Sequence, residues 1–179
     1  MRTDPSDPPI GGTFQWPGRN TRRSVILSLK ETRVGEFPDR ITLPEVELVR
    51  KSELHLTLLS TREAGQLASR LPEADWQAAF EAEEWEMRFL DAFDLLQEER
   101  PAEPTRFSVI RRVHCPSLNA FRQRLTQAAG FDLPETLAHV TLYIAGNTRG
   151  IGLASLAEHE RRRLRSLPAD EVRGLLGPI

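Results

Sequence analysis

The sequence predicts a single domain that mixes β-strands with α-helices, and three observations support this prediction. The segments 24–29, 54–59 and 138–145 are short and either rich in β-branched residues or alternating between polar and apolar side chains, as strands are. Segments with apolar residues at helical spacing lie between them. The chain has 179 residues, which fits one domain of about 100–200 residues.

The composition disfavours several classes of protein. The formal net charge is -2, so a strongly basic protein that binds nucleic acid by bulk electrostatics is not expected. No apolar run approaches the roughly 18–20 residues of a membrane helix, and the N-terminal segment lacks the apolar core of a secretory signal. Cys115 is the only cysteine, so neither an intrachain disulfide nor a four-cysteine zinc site can form. These features predict a cytoplasmic protein without membrane association, and no obligate protein partner is evident.

Residues 1–20 are predicted to form a flexible N-terminal tail, and residues 21–179 a single domain. Prolines and glycines are frequent in the tail, and they sustain neither a helix nor a ladder of strand hydrogen bonds. Phe14 and Trp16 are the aromatic residues of this segment. We expect them either to pack on the core of the domain or to close over a bound nucleotide.

Several helices follow from capping residues and helix-breaking residues. Ser60 and Glu63 follow the second predicted strand with the spacing of a capping box, which predicts the start of a helix. Pro116 and Gly130 bracket a segment whose apolar residues recur at helical spacing. A final helix is predicted over Leu153–Leu167.

The segment 85–97 is ambiguous, because its apolar residues alternate as in a strand while its glutamate and alanine residues favour a helix. We predict a strand, since 106–113 has the composition expected of its hairpin partner. Pro101 and Pro104 then lie in the turn.

The most informative feature is a motif that occurs twice. Leu54-His55-Leu56-Thr57-Leu58 and Ala138-His139-Val140-Thr141-Leu142 both read apolar, histidine, apolar, threonine, apolar. Because side chains alternate along a strand, the histidine and the threonine of each copy share one face. Their apolar neighbours point the other way, into the core. Each strand is therefore predicted to present an imidazole and a hydroxyl side by side.

A structural role, a metal site and a cysteine nucleophile each account less well for these histidines. One histidine alone is more simply a hydrogen-bonded strand residue, but two matching copies in one small domain favour a function. A metal site lacks its third and fourth ligands, since no His-x-His, cysteine cluster or His-Glu-x-x-His accompanies the pair. A cysteine nucleophile would be Cys115 with His114 as its base, and adjacent strand residues point to opposite faces.

Two imidazoles and two hydroxyls suit acid–base chemistry at phosphorus. With an ordinary pKa of about 6.5, one histidine can be neutral and the other protonated at neutral pH. The neutral one activates a water molecule, the protonated one donates to the departing oxygen, and the hydroxyls bind oxygens that gain charge. A 2′,3′-cyclic phosphate fits this chemistry, because opening its ring needs one water and one proton donor.

The two His-x-Thr motifs, 84 positions apart (139 minus 55), resemble those of the 2H phosphoesterase superfamily, which includes the bacterial 2′-5′ RNA ligase-like proteins and cyclic phosphodiesterases. The resemblance covers residues from about 24 to 146 and includes the order of strands and helices between the motifs. The loops and the N-terminal segment differ from the RNA ligase-like members. A bacterial branch associated with RNA repair is the alternative placement.

This resemblance implies an α+β fold with two lobes. Two antiparallel sheets related by a pseudo-twofold axis would flank a central cleft, with the helices on the outside. It also implies that His55 is the general acid, that His139 is the general base, and that Thr57 and Thr141 bind the phosphate.

Further residues are predicted to contact the substrate: Tyr143, Phe14, Trp16, Arg111 and Lys30. Tyr143 shares the face of His139 by alternation, so its ring is placed to stack on a base or a ribose. Arg111 and Arg112 lie on opposite faces of their strand, so at most one of them can face the cleft.

The sequence therefore predicts a metal-independent phosphodiesterase without a cofactor, acting on the 2′,3′-cyclic phosphate of a nucleotide or an RNA end. Two alternatives stay open at this point. One is a module that binds phosphorylated or cyclic nucleotide ends without turnover. The other is an RNA 2′-5′ ligase that runs the same chemistry in reverse.

Overall fold

The computed structural model describes residues 10–11, 14–30 and 37–176. These residues contain nine β-strands and five α-helices. The strands are β1 (Ile10–Gly11), β2 (Val25–Leu29), β3 (Arg40–Thr42), β4 (Glu47–Arg50), β5 (Leu54–Leu59), β6 (Glu86–Glu98), β7 (Arg106–His114), β8 (His139–Ala145) and β9 (Arg163–Leu167). The helices are α1 (Thr61–Ala68), α2 (Glu73–Glu81), α3 (Pro116–Ala129), α4 (Leu156–Arg162) and α5 (Ala169–Leu176). None of these helices is long and apolar enough to span a membrane. The fold is α+β.

The strands form an antiparallel sheet in which β5 and β8, the strands that carry the His-x-Thr motifs, are neighbours. The order along the sheet is β1-β6-β7-β8-β4-β3, with β9 also pairing with β6 and β2 pairing with β5. Strands β4 and β5 follow one another along the same edge of β8. The amide of Lys51, which lies between them, donates to the carbonyl of Leu142 on β8 at 2.8 Å.

The two faces of this sheet bury different clusters of apolar residues. The larger cluster lies between the sheet and helices α1, α2 and α3, and the fully buried Trp76, Phe80 and Phe121 belong to it. A smaller cluster consists of Leu96, Ile110, Ile151 and Leu153. Leu56 and Val140 point into the larger cluster, so the motif histidines and threonines that alternate with them lie on the opposite face of the sheet. We call this second face the histidine face.

Most of the predicted elements are confirmed. Strands β2 and β5 occupy the first two predicted strand segments, and β6 pairs with β7 as an antiparallel hairpin. The capping box of α1 is present: Ser60 Oγ accepts from the amide of Glu63 at 3.3 Å, and Glu63 Oε2 accepts from the amide of Ser60 at 2.8 Å. Gly130 ends α3 with φ of 69°, in the left-handed region that favours glycine.

The prediction of a final helix over Leu153–Leu167 is confirmed only for its middle part, Leu156–Arg162. Helix α4 ends at Arg162, and the next five residues form β9, which pairs with β6. Strand β7 occupies one edge of β6, and the backbone groups on the other edge need partners, which β9 supplies. Within α4 the pair Glu158 and Arg162 forms an ion pair at 2.6 Å.

The described part of the predicted tail packs against the body of the protein. Ile10 and Gly11 form β1, which pairs with the start of β6. The ring centroid of Trp16 lies 5.4 Å from that of Phe80 on α2 and 6.4 Å from that of Phe121 on α3. Residues 1–9 and 12–13 of the predicted tail lie outside the described residues.

Candidate active site

The register between β5 and β8 brings the two motifs together. Leu56 pairs with Val140, and the strands are antiparallel. His55 is therefore opposite Thr141, and Thr57 is opposite His139. Directly opposite residues point to the same face of a sheet, so the two histidines and two threonines form one block on the histidine face.

The two histidines lie near one another on the histidine face. His55 and His139 are diagonal neighbours across the strand pair, a relationship in which the Cα atoms are about 7–8 Å apart. The positive charge of a protonated His139 is a minor contributor to lowering the pKa of His55, after burial and Lys51.

The reactive atoms of the block are available to a ligand. The motif histidines and threonines are all half-buried. Among the described residues, neither histidine Nε2 nor either threonine Oγ1 has a hydrogen-bond partner, and none of these four atoms is fully buried. Each side chain is thus held by its strand while its polar tip stays free.

His139 is oriented by its own backbone. Its Nδ1 lies 2.8 Å from the carbonyl oxygen of Leu137, which can only accept, so Nδ1 carries the proton and donates it. Nε2 of the neutral ring is then an acceptor. Burial lowers the pKa of His139, although the Leu137 carbonyl acts in the opposite direction, so the neutral ring is favoured at neutral pH.

His55 lies in a more positive environment. Its Nδ1 is buried without a hydrogen bond, 3.9 Å from Glu53 Oε1. Burial, followed by the positive charge of Lys51, lowers the pKa of His55 to about 4. The Glu53 carboxylate acts in the opposite direction, and His139 and Arg22 add smaller lowering effects. Lys51 is half-buried, and its Nζ donates to the carbonyl oxygen of Glu53.

Lys51 and Arg22 are residues that the sequence analysis missed. Lys51 lies in the short connection between β4 and β5, only four residues before His55, and this proximity in sequence is the one signal that pointed to it. Arg22 precedes β2, and its charge acts on both His55 and Lys51. Cations that converge on a half-buried imidazole favour an anionic ligand.

A buried carboxylate network lies next to His139 on the histidine face. Arg112 on β7 is directly opposite His139, and its Nε and Nη2 donate to the two carboxylate oxygens of Asp94 at 2.7 Å and 3.0 Å. Asp94 is fully buried, accepts from Ser166 Oγ at 2.9 Å and lies 3.0 Å from His159 Nε2. Burial alone would raise the pKa of Asp94, but the hydrogen bonds from Arg112 and Ser166 outweigh it and lower the pKa.

The predicted substrate contact of Arg111 is wrong, and its neighbour Arg112 takes the place on the histidine face. Arg111 is buried on the side of the larger cluster, where its Nε donates to the carbonyl oxygen of Leu90 at 3.0 Å. Its guanidinium lies over the rings of Phe89 and Phe93. The two arginines do lie on opposite faces, as the alternation predicts, but the alternation alone does not say which face meets the motifs.

Tyr143 does not share the face of His139, because β8 contains a bulge. On β7 the consecutive residues Val109 and Ile110 pair with Tyr143 and Thr141, which leaves Leu142 as an extra residue. The bulge turns Tyr143 into the larger cluster, where it is fully buried and its hydroxyl donates to the carbonyl oxygen of Pro38 at 2.9 Å. The predicted stacking of Tyr143 on a nucleotide is therefore wrong.

The remaining predicted contacts lie away from the motif block. Phe14 and Trp16 pack against the larger cluster, on the opposite side of the sheet from the histidine face. Lys30 is exposed just beyond the end of β2 and makes no hydrogen bond or ion pair with the described residues. The lysine whose charge acts on His55 is Lys51.

No cluster of three or more histidine, cysteine, aspartate or glutamate side chains within the described ranges is arranged to hold a metal ion. The chain matches no family model, no curated protein and no solved structure.

Proposed function

We propose that this chain is a phosphodiesterase of the 2H type, which hydrolyses the 2′,3′-cyclic phosphate of a nucleotide or an RNA end without a metal. The observation that carries this proposal is the pairing of Leu56 with Val140, which sets the two His-Thr pairs side by side on one face. A local twofold axis passes through the Leu56–Val140 pair, as it does in any antiparallel pair of strands. Rotation by 180° about this axis exchanges one motif with the other. The strands belong to one connected antiparallel sheet, so the two-lobed, two-sheet arrangement that the resemblance implies stays a prediction.

The proposed reaction is an in-line displacement at phosphorus. His139 Nε2 accepts a proton from a water molecule as its oxygen bonds to phosphorus, and the bond from phosphorus to one ribose oxygen breaks. His55 donates a proton to that oxygen, so the product is a phosphomonoester with a free ribose hydroxyl. Thr57 and Thr141 donate their hydroxyls to the non-bridging oxygens, which gain charge in the transition state. Exchange of one proton with solvent returns both rings to their starting state.

This scheme requires His55 to be protonated when substrate is bound, although its pKa is about 4 in the free protein. An anionic phosphate beside the ring favours the charged imidazolium and raises the pKa. Lys51 and Arg22 act in the opposite sense on His55, and they also attract the phosphate. Bound substrate thus allows His55 to be protonated and to act as the general acid. In the free protein both imidazoles are neutral at neutral pH.

The test is an assay of the purified protein with each 2′,3′-cyclic nucleotide and with an oligonucleotide that ends in a cyclic phosphate, in the presence of EDTA. We expect ring opening to a single monophosphate, with His55→Ala and His139→Ala each lowering kcat by about 10²–10⁴-fold. His114→Ala is the matched control, because His114 is an exposed histidine at the end of β7. Full turnover by His139→Ala would contradict the proposal.

The same assay separates the alternatives. Tight binding of cyclic ends with no product identifies a binding module. Joining of cleaved RNA, seen as a longer product, identifies a ligase.

A further inference from the structure

The connection between β8 and α4 passes directly over one of the proposed phosphate-binding hydroxyls. A Cβ atom built on Gly150 would lie 3.0 Å from both Oγ1 and Cγ2 of Thr141, closer than ordinary van der Waals contact. The same construction on Gly152, two residues further along, meets nothing within 4 Å. The bare backbone of Gly150 is therefore packed against Thr141, and a side chain there would have to displace it.

Two side chains of β7, Arg106 and Ser108, fix the position of this connection relative to the sheet by hydrogen bonds to its backbone. Arg106 is buried, and its Nη2 donates to the carbonyl oxygens of Arg149 at 3.3 Å and Gly150 at 3.2 Å. Its Nη1 donates to Glu98 at 2.7 Å, which anchors the guanidinium to β6. The loop cannot rise to make room without breaking these contacts.

The second anchor is Ser108, whose Oγ accepts from the amide of Ile151 at 2.9 Å. Ile151 itself is buried in the smaller cluster. Residues on both sides of Gly150 are thus attached to β7.

Thr141 is held from the other side by its own strand. A β-branched side chain has few χ1 rotamers, and β8 fixes the backbone from which this one projects. The backbone of Gly150, packed against Thr141, further restricts which χ1 rotamers this side chain can adopt. The Thr141 hydroxyl has no hydrogen-bond partner among the described residues. A donor that is oriented before the substrate arrives stabilises developing charge better than one that must reorganise.

We infer that Gly150 is a positioning residue, whose backbone, anchored through Arg106 and Ser108, holds the Thr141 hydroxyl in the orientation that binds a phosphoryl oxygen. This inference rests on the proposed function, because it assigns Thr141 to the phosphate. It requires glycine at 150 for close approach, since the backbone there does not have the positive φ that would otherwise demand glycine.

The experiment compares Gly150→Ala with Gly152→Ala as the matched control, with kcat and KM measured on a 2′,3′-cyclic nucleotide. We expect Gly150→Ala to lower kcat/KM by about ten- to hundredfold, because a small displacement of an oriented group has an effect of this size. Gly152→Ala should stay close to the parent protein. Equal losses in the two variants, or no loss in Gly150→Ala, would overturn the inference.

A double-substitution cycle distinguishes positioning from a general loosening of the structure. Thr141→Ser removes the Cγ2 methyl and lets the hydroxyl rotate away from an alanine at 150. Relative to Thr141→Ser alone, the added Gly150→Ala should then have a much smaller effect on kcat/KM than it has in the parent protein. Purely additive effects would contradict a direct contact between positions 150 and 141. Urea unfolding of the same variants provides the second readout: a fall in kcat/KM at a temperature where all variants are fully folded is an effect on positioning, whereas a fall that follows only the unfolded fraction would contradict it.

Two further measurements keep the outcome clear. If Gly150→Ala fails to fold, Ser108→Ala releases one anchor without steric pressure and should lower kcat/KM; an unchanged value overturns the inference. If the parent protein opens no cyclic phosphate, the proposed function fails, and titration with inorganic phosphate decides the inference alone. Weaker phosphate binding by Gly150→Ala, with binding by Gly152→Ala unchanged, would still support the inference. Equal binding by the parent protein and both variants would overturn it.

Discussion

Leu56 on β5 pairs with Val140 on β8, and this pairing places the histidine of each motif opposite the threonine of the other. The two apolar side chains are fully buried in the larger cluster, so the strand pair cannot shift by one residue without exposing them. The energy of the core therefore also fixes the distance between the two proposed catalytic rings. The same β5–β8 register therefore determines both the packing of the core and the arrangement of the motif side chains.

The pKa of His55 should depend on its neighbouring cation. Lys51→Gln removes a positive charge next to the ring, so we expect the pKa to rise from about 4 in the free protein. Inorganic phosphate should also raise it, because an anion favours the imidazolium. NMR titration of the histidine ring signals against pH measures both effects. Lys30→Gln is the control, since Lys30 is exposed and does not interact with His55; an equal shift in both variants would refute the assignment.

Stability should decrease as the pH is lowered, in a way that depends on His55. The pKa in the folded state, about 4, lies below the ordinary value of 6.5, so the folded protein binds fewer protons than the unfolded chain between these two values. The stability associated with the neutral ring is complete above pH 6.5 and is lost as pH falls through 4. This loss amounts to roughly 3 kcal/mol.

His55→Gln removes this dependence, so the free energy of unfolding should fall less steeply between pH 6.5 and 4 than in the parent protein. Urea unfolding at several pH values provides the measurement, with His114→Gln as an exposed control. Parallel curves for the parent and His55→Gln would show that the ring is not held neutral by the fold.

Asp94 should be much more important to stability than an exposed carboxylate. Asp94→Asn leaves Arg112 without its counter-ion on the histidine face, and breaking a buried pair costs about 3–5 kcal/mol. Asp39→Asn, which breaks an exposed pair with Arg50, should cost less than about 1 kcal/mol. Denaturant unfolding compares the two variants at neutral pH, and similar losses would contradict the buried network around Asp94.

Tyr143→Phe separates packing from substrate binding. The hydroxyl donates to Pro38, and burial raises its pKa to about 12, so it remains a donor throughout the working range. Losing this bond should lower stability by about 0.5–1.5 kcal/mol, and KM for a cyclic nucleotide should not change. A clear rise in KM, with stability unchanged, would restore Tyr143 as a substrate contact.

Much of the local structure was accessible from the sequence because it depends on short-range patterns. Alternation along 54–59 places His55 and Thr57 on one face, and the capping box at Ser60 places the start of the following helix. These features involve residues that are near one another in the chain. The pattern of the two motifs likewise identified four of the side chains that meet on the histidine face.

Tertiary structure decided the rest, because long-range pairing is not contained in any local pattern. The bulge at Leu142, which turns Tyr143 away from the site, exists only in relation to β7. The choice of Arg112 over Arg111 depends on which face of β7 meets the motif strands, and Arg163–Leu167 becomes a strand because β6 has an edge to pair with. The sequence by itself determined which side chains could do chemistry and which of them share a face within a strand. The fold decided which strands lie together and in what register, since that depends on burying apolar side chains and pairing backbone groups across residues far apart in the chain.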